Sequence, residues 1–231
     1  MLVFDPMYFI FLAPAMIMAA WASMRVKSAL AHASKFAPSS RMTGAEVAAR
    51  VLQFNNLHHV RIEPTQGLLG DHYDPRKKVL RLTPEIFQGR TLAAVGVAAH
   101  EAGHALQDAY GYAPLKLRNG LVPMASFGGN FSFLILLAGF ILGSQSWVLA
   151  GIVLFSVTVL FQLINLPVEY NASRRAREVL VQHGIVQPQE LAAVSRVLNA
   201  AALTYVAATL SAILTLLYFL FRSGLLGGSR D

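Results

Sequence analysis

The sequence predicts a mainly α-helical membrane protein with four transmembrane helices and a small α+β part outside the bilayer. Of the 231 residues, 55% are apolar and only 13% are charged, and the mean hydropathy is +0.50. Four stretches contain no Lys, Arg, Asp or Glu and are long enough to cross the roughly 30 Å hydrocarbon layer as helices. A chain of this length is too short to bury four such helices inside a soluble core. The four stretches are residues 7–24, 121–143, 147–166 and 200–221.

The first stretch has two interpretations, a cleaved signal peptide or a retained membrane anchor. Ala20-Trp21-Ala22 has the small-x-small form of a cleavage site. A signal peptide carries positive charge before its apolar run, whereas this chain has Asp5 before the run and Arg25, Lys27 and Lys35 after it. The charge pattern therefore favours a retained anchor.

The second and third stretches are separated only by Ser144-Gln145-Ser146, which predicts a helical hairpin. The hairpin returns the chain to the side it left, so residues 25–120 and 167–199 face one compartment. These two regions hold 17 of the 19 Lys and Arg residues. Because Lys and Arg accumulate on the cytoplasmic side, we expect both regions in the cytoplasm of a bacterial cell, with both termini outside.

The net charge of +7 is thus explained by the Lys and Arg residues expected on the cytoplasmic side of the membrane. No basic stripe with interleaved aromatic residues indicates nucleic-acid binding. The lipid bilayer is the predicted partner, and the oligomeric state is not determined. The predicted organisation is transmembrane helix 1 (1–24), a polar region (25–120), a transmembrane hairpin (121–166), a second polar helical region (167–199), and transmembrane helix 4 with a tail (200–231).

The first polar region shows mixed α and β signals. Thr43 and Glu46 form a capping box that predicts a short helix ending near Asn56. Residues 60–63 and 79–82 predict two short strands joined by an irregular glycine-containing loop. The second of these strands could be an edge strand that pairs with an extended peptide.

Two further helix starts follow, at Thr83-Pro84 and at Thr91. The alanine-rich run of residues 92–109 is predicted to be a helix, and it carries His100-Glu101-Ala102-Gly103-His104, an HExxH motif. On a helix, residues i and i+4 share a face, so both imidazoles can bind one metal ion. Glu101 lies roughly 100° further round the helix, where it can act as general base toward a metal-activated water. Cysteine is absent, which excludes thiolate zinc sites and cysteine nucleophiles.

A catalytic zinc needs a third protein ligand, and the sequence offers several candidates downstream. Asp108 lies about 12 Å along the helix from His100, too far for both to reach one ion. Glu169 is favoured because it follows the third span directly, where Asn165 could cap a new helix and Pro167 could start it. Ser173, one turn later, could hydrogen-bond a ligand histidine. The other candidates are Glu178, His183, Glu190 and Asp231.

The motif order resembles the YugP-type membrane zinc metallopeptidases and, more distantly, the HtpX-type membrane peptidases. The similarity lies in residues 70–75, residues 97–107 and the Leu166–Ala176 segment with its ExxAS sequence. The resemblance implies a zincin-like, gluzincin-type cytoplasmic core in which His100, His104 and Glu169 bind Zn²⁺ and Glu101 is the catalytic base. It also implies a peptide or a membrane protein as substrate.

The leading hypothesis is therefore a zinc-dependent membrane metalloprotease. Two alternatives are a catalytically silent zinc-binding membrane scaffold and an intramembrane protease of the site-2 type, which would place its motif inside a true span. Several side chains could stabilise a developing oxyanion, and the sequence does not rank them. They are His72, Tyr73, Tyr170, Arg174 and Arg177.

Overall fold

The structure, a computed structural model, describes residues 5–66 and 70–225. Within these residues four helices are long and apolar enough to cross a membrane, which confirms the four predicted spans. Part of the predicted glycine-containing loop and the end of the C-terminal tail lie outside the described residues. The four helices are α1 (Pro6–Ala33), α5 (Ala113–Ile141), α6 (Gln145–Gln182) and α7 (Pro188–Arg222).

The chain divides into two compact units. The span unit comprises residues 1–21, 117–166 and 204–231. The motif unit comprises residues 22–116 and 167–203 and contains the HExxH sequence.

Aromatic and small residues pack the span unit. Tyr218 is 1% exposed, contacts the rings of Tyr8 and Phe11 edge-on, and donates a hydrogen bond to Asp5 at 2.8 Å. At Gly151 an added Cβ would lie 2.6 Å from Leu136, so the absence of a side chain lets α5 and α6 approach closely. Such small-residue contacts are the usual way in which membrane helices associate.

In the motif unit, helix α2 (Gly44–Phe54) confirms the helix predicted from the capping box. The Glu46 backbone N–H donates to Thr43 Oγ1 at 3.1 Å, and the Thr43 N–H donates to the Glu46 carboxylate at 2.7 Å. The apolar face of the helix is buried, as its helical spacing requires.

A three-stranded sheet follows, formed by β1 (Arg61–Pro64), β2 (His72–Asp74) and β3 (Val79–Leu82). The two predicted strands are present, and β2 was not predicted because three polar residues have no apolar alternation. The strand order is β1-β3-β2, with β1 parallel and β2 antiparallel to β3. The prediction of β3 as an edge strand was therefore wrong: both its edges are paired within the chain, and the free edges belong to β1 and β2.

Helices α3 (Pro84–Phe87) and α4 (Leu92–Ala109) begin at the predicted positions. Thr91 caps α4 by accepting a hydrogen bond from the Ala94 N–H at 3.2 Å. Most of α4 is buried on all sides, including Glu101 and His104. This helix is not among the candidate spans in the described part of the chain.

Helix α6 continues without a break from the third span into the Glu169 segment, so the new helix predicted to start at Pro167 does not exist. Proline inside a helix removes one backbone hydrogen bond, which membrane helices tolerate when neighbouring groups compensate. Within the motif unit α6 then packs closely on α4. An ideal Cβ at Gly103 would lie 2.7 Å from the Ala172 carbonyl oxygen, so no side chain fits there.

We expect Gly103→Ala to lower the melting temperature of the purified protein by roughly 3–10 °C, because the added methyl group collides with a rigid backbone carbonyl. Gly120→Ala is the matched control, since an added Cβ at Gly120 meets nothing within 4 Å and alanine favours the helix. Equal melting temperatures for the two variants would contradict the close packing at Gly103.

Candidate metal centre

Three predicted ligands converge in the motif unit. His100 and His104 lie one turn apart on α4, and Glu169 reaches them from α6. Glu169 Oε2 is 3.2 Å from His100 Nε2 and 3.6 Å from His104 Nε2, and potential ligand atoms of all three residues lie within 4.8 Å of one another. Ligand atoms at tetrahedral angles, about 2.0–2.1 Å from a zinc ion, lie about 3.4 Å apart. The group could therefore hold a metal ion with little rearrangement.

Each histidine is oriented through its other ring nitrogen. His100 Nδ1 is 3.1 Å from Ser173 Oγ, the contact that the sequence predicted, and His104 Nδ1 is 2.9 Å from Gln107 Oε1. An N–H on Nδ1 can donate to these oxygens, which keeps Nε2 on the side of Glu169, where a metal ion would bind. Metal-binding histidines are held in this way in known sites.

Gln107 was not recognised from the sequence as part of the site. It is fully buried, and its Nε2 donates to the Val168 carbonyl at 2.7 Å and to Asn171 Oδ1 at 3.1 Å. Because the amide donates to two acceptors, its oxygen must face His104. The sequence did contain one indication of this contact: Gln107 follows His104 by three residues and so lies on the same helix face.

The site is rich in buried charge. Glu169 is 2% exposed, and Glu101 and His104 are 9% and 8% exposed. Burial by itself lowers the pKa of His104, but the hydrogen bond and charge of Glu169, together with the charge of Glu101, raise this pKa above its ordinary value. The two carboxylates thus create a strong local preference for positive charge, which a divalent cation satisfies.

The alternative third ligands have other partners. Glu178 pairs with Arg174 at 2.8 Å, and the His183 ring stacks on Phe54 with 3.6 Å between ring centroids. Glu190 accepts hydrogen bonds from the Ser39 hydroxyl and backbone, at 2.6 and 2.7 Å. Asp231 lies outside the described residues.

Asp108, excluded as a ligand by its distance along the helix, joins α4 to the sheet. Its carboxylate accepts from the Tyr73 hydroxyl at 2.7 Å and from Lys78 Nζ at 2.6 Å. Burial and this hydrogen bond raise the pKa of Tyr73 well above its ordinary value. Tyr73 therefore remains a protonated phenol, committed to Asp108.

The other side chains that could stabilise an oxyanion either have hydrogen-bond partners in the motif unit or are exposed. His72 Nδ1 is 3.0 Å from the Gly70 carbonyl oxygen, and Arg177 donates to Asn199 Oδ1 at 3.0 Å. Tyr170 is 46% exposed, and Arg174 is bound by Glu178. No oxyanion-stabilising residue is assigned on these contacts.

Four membrane-spanning helices, together with an HExxH motif whose histidines meet a distant glutamate, are the features of a membrane zinc metallopeptidase. The chain belongs to the family described as "Putative neutral zinc metallopeptidase", which matches residues 8–224. It is 46% identical over 214 residues to the "Putative membrane protease YugP" of Bacillus subtilis (strain 168), covering 92% of this chain and 95% of that protein. No solved structure matches the chain. The family assignment and the His-His-Glu group agree on zinc as the metal.

We expect Glu169→Gln to remove most of the bound zinc, because a neutral amide replaces the one anionic ligand. Glu178→Gln is the matched control, since it changes an exposed glutamate of the same helix. Zinc content per chain, measured by inductively coupled plasma mass spectrometry after purification, distinguishes the two. Wild-type zinc content in Glu169→Gln would rule out Glu169 as a ligand.

We expect Gln107→Leu and Ser173→Ala each to weaken zinc binding by about 10- to 100-fold, because each leaves one ligand histidine without its orienting partner. Ser156→Ala is the control, because the Ser156 hydroxyl donates to the Ile152 carbonyl of its own helix, outside the metal group. Competition against a zinc chelator gives the affinities. An unchanged affinity in both variants would show that these contacts do not orient the histidines.

Proposed function

We propose that this protein is a zinc-dependent membrane endopeptidase of the gluzincin type. In this proposal His100, His104 and Glu169 bind the metal, and Glu101 is the general base. The observation that carries the proposal is the convergence of the two motif histidines with Glu169, while Glu101 is buried beside them. A family of zinc metallopeptidases and a relative named as a membrane protease support the same reaction class.

A zinc ion in this group would lower the pKa of a coordinated water to about 7 and polarise the peptide carbonyl. The protein's own contribution begins with Glu101, which follows His100 directly and so points round the helix from the ligand face. Its carboxylate accepts a proton from the attacking water and donates it to the amine that leaves. Gln107 and Ser173 hold the imidazoles in place through this exchange.

Burial suits Glu101 to this role. At 9% exposure the carboxylate has little competing water around it, and it follows the motif histidine His100 directly in the chain. A scaffold without turnover would have no need of a buried carboxylate at this position. The intact Glu101 therefore favours a peptidase over a silent zinc-binding protein.

The location of α4 favours cleavage outside the bilayer core. Site-2-type proteases carry their motif inside a true span, whereas α4 is not among the candidate spans of the described chain. We place residues 25–120 and 167–199 in the cytoplasm, on the basis of the Lys and Arg distribution. The substrate class in this proposal is a peptide segment near the cytoplasmic membrane face.

We expect Glu101→Gln to reduce hydrolysis of a fluorescent unfolded protein, such as labelled casein, by at least 100-fold while zinc stays bound, because the amide cannot accept the proton. Glu85→Gln, in an exposed first turn of α3, is the matched control. Full turnover by Glu101→Gln would reject the general-base role. Absence of wild-type turnover on unfolded and membrane-derived substrates alike would favour the scaffold.

The proposed orientation is directly testable because the chain contains no cysteine. We expect a membrane-impermeant maleimide to label Ser146→Cys, in the exposed first turn of α6 beside the hairpin turn, on intact cells. Lys77→Cys, in the exposed turn between β2 and β3, should be labelled only after lysis. The opposite labelling pattern would reverse the orientation.

A further inference from the structure

A polar cleft of about 360 Å³ lies within the motif unit, away from the metal group, between α1 and α7. Helix α1 contributes Arg25, Ser28 and His32 to its lining, and α7 contributes Arg196 and Asn199. The lining contains two guanidinium groups, an imidazole, a hydroxyl and an amide, and no carboxylate. The proposed peptidase reaction uses none of these side chains.

On the α7 side of the cleft, the arginines form no salt bridge with an acid in the described residues. Arg177, which is not part of the lining, donates to Oδ1 of the lining residue Asn199 at 3.0 Å. Over residues 5–66 and 70–225, neither Arg177 nor Arg196 forms a salt bridge with a carboxylate. The Arg196 Nε–H contacts only the Ala192 carbonyl oxygen of its own helix, at 3.4 Å. An anion near Arg196 or Arg177 would therefore meet no competing carboxylate salt bridge in the described part of the chain.

The cleft lies where two apolar runs end. Arg25 directly follows the uncharged stretch 7–24, and Asn199 directly precedes the uncharged stretch 200–221. Charged residues at the ends of spans lie at the level of lipid headgroups. Ala200 and Leu203, at the start of the apolar run of α7, also line the cleft. They give the cleft an apolar part beside its arginines.

We propose that this cleft binds a phosphate group, and that an anionic phospholipid supplies it. Guanidinium groups donate paired hydrogen bonds to phosphate oxygens, and Ser28 adds a hydroxyl donor. The apolar part accommodates the start of the lipid's hydrocarbon. A soluble phosphate ester has the same headgroup chemistry but gains nothing from the membrane boundary or from Leu203.

The test compares lipids on the full chain in detergent. Binding of dioleoylphosphatidylglycerol and dioleoylphosphatidylcholine is measured by native mass spectrometry and by the rise in melting temperature. We expect the wild type to prefer the anionic lipid. Arg25→Gln with Arg196→Gln should weaken this binding by about 25-fold, or about 5-fold for each arginine. Arg76→Gln with Lys77→Gln removes the same charge from an exposed turn and should leave the binding unchanged.

Two further measurements distinguish a lipid from a soluble phosphate ester and control for misfolding of the variant. Glycerol 1-phosphate alone is the second probe. If the wild type binds it and the double variant does not, the cleft is a phosphate site, but its ligand is a soluble ester. If the double variant melts lower than the wild type without lipid, Arg196→Gln alone replaces it, because the Arg196 Nε–H donates to the backbone of its own helix. Equal binding of the two lipids by the wild type, or unchanged phosphatidylglycerol binding in the arginine variants, would overturn the proposal.

Discussion

The close packing of α4 on α6 at Gly103 is the contact on which the candidate site depends. With no side chain at this position, the Ala172 backbone approaches the motif helix closely. Glu169 lies one turn before Ser173 on the same helix, so a single contact surface brings the candidate ligand Glu169 and the Ser173 hydroxyl to α4 together. A larger residue in the motif would separate the histidines from both.

Burial of charge explains the rest of the site. Two carboxylates and two imidazoles in a nearly dry environment are costly unless each polar group is paired. The structure meets this requirement for the imidazoles with Ser173 and Gln107, and for the Gln107 amide with Val168 and Asn171. The remaining negative charge is the feature that a divalent cation would balance.

Asp108, on the same helix as the HExxH motif, has a structural role instead. It lies one turn beyond His104, and it binds Tyr73 of β2 and Lys78, just before β3. The end of α4 is thereby attached to the sheet, while the middle of the helix faces α6. The sheet and α6 thus fix the motif helix from two sides within one compact unit.

Local sequence determined the features that depend on consecutive residues. The HExxH spacing places both histidines on one helix face, the Thr43–Glu46 pair starts α2, and uncharged runs of about 20 residues define the spans. The convergence of Glu169 with the two histidines, the hydrogen bonds of Gln107, and the central position of β3 were decided by tertiary structure. These features depend on contacts between residues far apart in the chain, such as His100 with Glu169. Helical periodicity shows which way a side chain faces along its own helix, but not which distant segment packs against it.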